Sequence, residues 1–226
     1  MKSDYPPNTW RFYPLAEQIA HDKTAMLHHD LGQFVFNRGT LSFTLALGFS
    51  LSYSVPAKGL IQDAQREWLR WLDRAQKAVC SRYIAEPIRS FNHKRFADAP
   101  FDDDGIIEAT YGNVHIVANL GPTARVVDGR NIAPFGFYAS APGMSAGNLK
   151  NTRDLGDDGI SFVVESQAEK SDIWVYASSE QDVAVVLPTK INSIDKAEGD
   201  IAPNKYSLNG DTFAFTLPPR SGAKRI

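Results

Sequence analysis

The chain has 226 residues, 43% of them hydrophobic and 22% charged, with a formal net charge of −2. This is the composition of a folded globular protein and excludes disordered and collagen-like classes. No block of Lys and Arg stands out, which argues against a nucleic-acid partner gripped through its phosphates. Cys80 is the only cysteine, so an intrachain disulfide and a multi-cysteine zinc site are both excluded.

The first twenty residues, MKSDYPPNTWRFYPLAEQIA, contain three prolines and no continuous apolar core. A signal peptide is therefore not expected there. No run approaches the roughly 18 consecutive apolar residues of a membrane span. A soluble chain without a membrane partner is expected, its compartment left open.

The stretch TAMLHHDLGQF, residues 24–34, reads as a short strand from Thr24 to Leu27 that ends in His28, His29 and Asp30. A metal site is one reading, with His21 upstream as a further ligand. Adjacent residues of a strand point to opposite faces, however, so at most His28 and Asp30 converge. The His spacing of a zinc-binding helix, four residues apart, is absent. No metal is expected. A second reading places polar groups at a strand end facing a cleft, where an Asp beside a His can hydrogen-bond sugar hydroxyls. A third makes them plain polar caps, and spacing alone does not choose between the last two.

TLSFTLALGFSLSY, residues 40–53, carries a conflict. Its odd positions alternate strictly with small residues, which is the period of a strand. Fourteen residues is long for a strand, and the same positions form two i,i+4 ridges suited to a buried helix. Helix is favoured, leaning in part on the resemblance described below. The clearest helix spans Asp63 to Ile84, with an apolar stripe of Trp68, Leu72, Ala75, Val79 and Tyr83. Asp63 is a plausible N-cap. Cys80 falls near that stripe and reads as a small buried hydrophobe rather than a reactive thiol.

Near residue 98 the character changes to short alternating runs punctuated by Gly, Pro, Asn and Asp, joined to the helical part by SFNHKRFADAPFDDDG. Within this joint FDDDG, residues 101–105, reads as a solvated loop. Strands are expected at GIIEATY, VHIVANL, ISFVVES, SDIWVYA, QDVAVVL and DTFAFTL. Gly112-Asn113 and Asn209-Gly210 are the hairpin candidates. Six such strands predict an antiparallel sandwich.

No G-x-S-x-G nucleophile elbow is present and Cys80 sits inside a helix, so a nucleophile triad lacks support. GPTARVVDGRN and GMSAGN lack the lysine and the strand-to-helix setting of a phosphate loop. No cofactor is implied.

Taken in order, TAMLHHDLGQF, TLSFTLALGFSLSY, EWLRWLDRAQKAV and GIIEATYGNVHIVANLG resemble the end of an α-amylase-type or related barrel glycoside hydrolase. His29-Asp30 are similar to the His-Asp of that class's Asn-His-Asp-like motif, with His28 in place of the usual Asn. YGNVHIVANLG and IAPFGFYA resemble segments of its C-terminal β-domain. The resemblance implies residues 1–98 as an α/β remnant, the last βα units of a TIM-type barrel closed by two long helices, and residues 99–226 as an all-β antiparallel sandwich. It implies a carbohydrate partner, with His29, Asp30 and His28 contacting substrate.

A complete barrel needs roughly 250 residues, so about 98 supply only two units. The expectation is a C-terminal fragment of a glycoside hydrolase, catalytically incomplete, its carboxylates upstream of Met1. Hydrolysis needs two carboxyl groups across the scissile bond, and Asp30 has no second partner: Glu67 and Asp73 fall on the solvated side of a helix. The alternative is a stand-alone, non-catalytic β-sandwich module that binds carbohydrate or serves structure. Trp174, Tyr176, Phe135, Phe137 and Tyr138 are then the aromatic candidates, weighed against burial in a core.

Overall fold

The computed structural model describes residues 13–27, 35, 37–53, 63–96, 99, 103–149, 160–167, 170–176, 181–186, 206–209, 212–217 and 224–225. Among the described residues three helices precede the sheets: α1 (Leu15–Ala20), α2 (Arg38–Ala46) and α3 (Asp63–Ala75). The rod begun by α3 continues through a π-helical turn, Gln76–Cys80, and a last α-helical turn, Ser81–Tyr83. Its span matches the sequence expectation for residues 63–84.

Thirteen strands follow among the described residues: β1 (Ile88–Lys94), β2 (Ile106–Tyr111), β3 (Val114–Asn119), β4 (Arg125–Val127), β5 (Arg130–Ile132), β6 (Phe137–Ala141), β7 (Met144–Leu149), β8 (Ile160–Ser166), β9 (Ser171–Tyr176), β10 (Gln181–Val186), β11 (Tyr206–Asn209), β12 (Thr212–Leu217) and β13 (Lys224–Arg225). One ten-stranded sheet runs β1-β2-β3-β6-β7-β8-β9-β13, with β5 pairing β7 and carrying β4. A second sheet runs β10-β12-β11. Every strand pair is antiparallel.

All six expected strands are present. The Gly112-Asn113 hairpin also forms, with Tyr111 opposite Val114 and Gly112 at φ 56, the first central position of the turn, where positive φ is needed. The second hairpin differs from the expectation: Asn209 belongs to the ladder and pairs Thr212. The additional strands are short or rich in Ala, Ser and Gly, such as MSAGNL, and lack the β-branched signature.

The expected fold, a barrel remnant over residues 1–98 followed by an antiparallel sandwich over residues 99–226, is not what forms: one large sheet takes in β1 from before residue 98, and a small three-stranded sheet stands beside it. Parallel strands joined by helices define such a barrel, whereas the only parallel pairing among the described residues is an isolated bridge between Leu27 and Ser50. Residues 40–53 are not one element either. Helix α2 ends at Ala46, the chain turns at Gly48, and Ser50 bridges Leu27. The i,i+4 ridge Leu41/Leu45 packs on the face of the antiparallel sheet instead of on a barrel wall. The same apolar pattern serves any flat apolar partner, so patterning alone did not distinguish the two.

One core unites helices and sheet. Leu41, Leu45, Trp71, Val79 and Tyr83 pack with Ile107, Tyr111, Val114, Ile116, Phe137 and Val163 on one face of the large sheet. The next residues along the same strands, Ile106, Val117, Tyr138, Phe162 and Val164, turn to the other face, where they meet Ile132 of β5 and Phe213 of β12. Helices cover one face and strands the other. This double cover explains why β3, VHIVAN, is buried at nearly every position rather than at alternate ones.

Cys80 is fully buried in this core, as its place on the stripe implied. Burial pushes its thiol up to about 12. In the folded protein it is expected to resist an aromatic disulfide reagent and to label only as the chain unfolds in denaturant. Labelling as fast as a small free thiol in buffer would contradict the packing.

Candidate functional site

The substrate-contacting residues anticipated from the sequence, His28, His29 and Asp30, lie outside the described residues. The chain reaches them directly after Leu27, whose bridge to Ser50 is accompanied by a 2.7 Å hydrogen bond from Ser50 N–H to the Met26 carbonyl. Among the described residues no group of three or more His, Cys, Asp or Glu is placed to hold a metal, and no helix is long and apolar enough to cross a membrane.

The five aromatic candidates separate clearly. Phe137 and Tyr138 are buried on opposite faces of β6. The guanidinium of Arg130 lies 4.2 Å from the Tyr138 ring centroid. Trp174 is half-buried against the helix-side core, with the Arg74 guanidinium 3.7 Å from its ring centroid. The side chain of Tyr176 lies outside the described residues. Phe135 alone of the four described aromatics is solvent-facing, at 37% exposure.

Phe135 is also strained. Its φ is +53, a left-handed conformation uncommon for a bulky residue. Both of its backbone groups are held: its N–H donates to the Gly121 carbonyl at 3.0 Å, and its carbonyl accepts from the Ser42 hydroxyl of α2 at 2.7 Å. The first turn of α2 stands beside it, fixed by Asn37, whose side chain accepts from Thr40 N–H at 2.9 Å as an N-cap. A side chain added at Gly39 would meet Phe135 Cβ at an ordinary contact distance of 3.6 Å. Strain of this kind persists only where surrounding bonds over-determine it, and it clusters at ligand-contacting positions.

Behind Phe135 lies a polar network that sequence patterning missed. Asn119 donates to the Thr123 carbonyl at 2.7 Å and to the Ala133 carbonyl at 3.0 Å, and its side-chain oxygen accepts from Gly121 N–H. Asp103, fully buried, accepts from Gly105 N–H at 2.8 Å and pairs with Arg125 through its other oxygen. Arg95 donates to the Asp103 carbonyl at 3.1 Å. The expectation of a solvated loop at 101–105 is corrected accordingly: at Asp103 the charge is buried and paired. The local signal was an Asp or Asn two residues before a Gly, DDG and NLG, which is the pattern of a side-chain-closed turn.

Four described carboxylates near the surface are engaged in ion pairs: Asp73 with Lys77, Asp172 with Lys170, Glu165 with Arg82 and Asp22 with Lys23. The hydrogen bond from Lys23 holds the Asp22 carboxyl below its ordinary range. The exposed Asp73 and Lys77 stand one helical turn apart, as the solvated side of a helix requires.

Comparison with known proteins adds no relative: no family model, no curated protein and no solved structure matches the chain.

Proposed function

We propose that the chain is a carbohydrate-binding β-rich module, non-catalytic in itself, belonging with the glycoside hydrolases that its short motifs resemble. The observation that carries this reading is Phe135: an exposed aromatic ring held in a strained backbone conformation by a hydrogen bond on each side. Sugar rings present an apolar C–H face that stacks on such a surface. His29 and Asp30, with His28, supply the hydroxyl-binding groups that the resemblance implies.

The test is Phe135→Gly, because glycine accepts the backbone conformation that phenylalanine resists. Calorimetric titration with a panel of α- and β-linked oligosaccharides is expected to show binding by the wild type and at least about tenfold weaker binding by the variant, the size of one stacking contact. Its unfolding free energy should stay within about 1 kcal/mol of wild type, since relief of strain offsets the lost ring contacts. Equal binding by the variant, or no binding of any oligosaccharide by the wild type, would overturn the proposal.

A further inference from the structure

The C-terminal turn of α2 is capped by three side chains from elsewhere in the fold. Tyr111 donates its hydroxyl to the Ala46 carbonyl at 2.6 Å, and Tyr83 donates to the Phe49 carbonyl at 2.6 Å. Between them His21, 2% exposed, places Nε2 at 2.8 Å from the Gly48 carbonyl and Nδ1 at 2.7 Å from the Glu86 carbonyl. A backbone carbonyl only accepts. Neutral imidazole carries one N–H and presents a lone pair from its other nitrogen, which repels a carbonyl oxygen at that distance. Both contacts are hydrogen bonds only when both ring nitrogens carry protons.

The surroundings suit that cation. The negative end of the α2 dipole points at it. The Tyr111 ring lies 4.7 Å away and the Tyr83 ring 5.9 Å away, centroid to centroid. Burial holds both phenols above their ordinary range, so they stay neutral hydroxyl donors, and Cys80 beside Tyr83 stays a thiol. α1 brings Glu17, with Asp22 and Lys23 following it. The segment after α3 brings Arg82, which faces Glu165, and Glu86, whose carboxylate lies against Gly112. Residues 42–49 at the end of α2 carry no ionisable side chain, and β2 contributes the Tyr111 ring.

We propose that His21 is a two-proton clasp: with an N–H on each ring nitrogen it ties the end of α1 to the C-terminal turn of α2 and to the turn before β1.

The experiment uses the full chain. Long-range proton–nitrogen NMR at about pH 5.5 is expected to show two ring N–H signals for His21, assigned through contacts to the Tyr111 ring. The folding equilibrium constant from denaturant titration should be about tenfold lower in His21→Gln than in wild type. A single ring N–H signal in the wild type, or an unchanged equilibrium constant in the variant, would overturn the proposal. If His21→Gln does not fold, the ring signals of the wild type decide the matter alone.

Discussion

Alanine at position 48 is expected to lower the unfolding free energy by about 3 kcal/mol, combining the cost of a left-handed non-glycine residue with that of overpacking. Gly48 has φ +75 and completes a Schellman motif at the end of α2: Gly48 N–H donates to the Leu45 carbonyl at 3.0 Å and Phe49 N–H to the Thr44 carbonyl at 3.1 Å. A Cβ there would sit 2.6 Å from Tyr111 Cε1 and still closer to His21 Nε2. These are parts of large rings locked by hydrogen bonds to backbone carbonyls, and neither can swing aside. Relief would require breaking the cap of α2, the clasp at His21, or both. Urea denaturation followed by tryptophan fluorescence checks the value; a loss under about 1 kcal/mol would mean that the helix end relaxes freely.

Asp103→Ala is expected to cost about 3 kcal/mol, at the low end of the range for breaking a buried pair because Arg125 retains some contact with water. The carboxylate closes the 103–105 turn, fixes Arg125, and lies so near Gly121 that a Cβ there would overlap it. Arg125 in turn lies 4.2 Å from the centroid of the Phe96 ring. Removing the carboxylate strands both the Gly105 N–H and the guanidinium. Asp103→Asn, which preserves an acceptor for the Gly105 N–H, should lose about half as much. Adding Arg125→Met to Asp103→Ala should recover part of the loss, because the charge left without its partner is then gone. Thermal and urea denaturation of wild type, Asp103→Ala, Arg125→Met and the double variant provides the cycle, and strict additivity would show that the pair is not coupled.

Loss of the turn closed by Asp103 would also reach Phe135 indirectly. Gly121, packed on the Asp103 carboxylate, is the residue whose carbonyl accepts the Phe135 N–H. Asp103→Asn is thus expected to weaken oligosaccharide binding less than Phe135→Gly does, since it alters the support of the ring and not the ring itself.

The local elements were largely legible in the sequence. The apolar stripe of residues 63–84 specifies a helix because 3.6-residue periodicity leaves one face to bury, and ISFVVES or DTFAFTL specify strands through β-branched and aromatic residues. Gly112 marks its hairpin by the φ it accepts. MSAGNL and FYASA were not legible, because their small residues become strand only when neighbours pair with them and both faces are covered. The candidate site was legible in composition, as an aromatic list that contained Phe135, but not in selection. Exposure and a positive φ depend on Ser42 and Gly121, which lie 93 and 14 residues away in the chain.

By itself, then, the sequence determined where helices and most β-branched strands form, that Cys80 is buried, and where chain reversals such as Gly112 occur, since each of these depends on patterns within about one or two turns of chain. The tertiary structure decided what the helices pack against. Leu41, Leu45 and Trp71 carry apolar surface that an antiparallel sheet satisfies as fully as a barrel wall does, and hydrophobic burial has no direction. It decided too that Asp103 is buried, that His21 meets two carbonyls, and that Phe135 faces solvent. Each of these rests on contacts between residues far apart in sequence, where hydrogen-bond geometry and the space left by neighbours, rather than local preference, set the outcome.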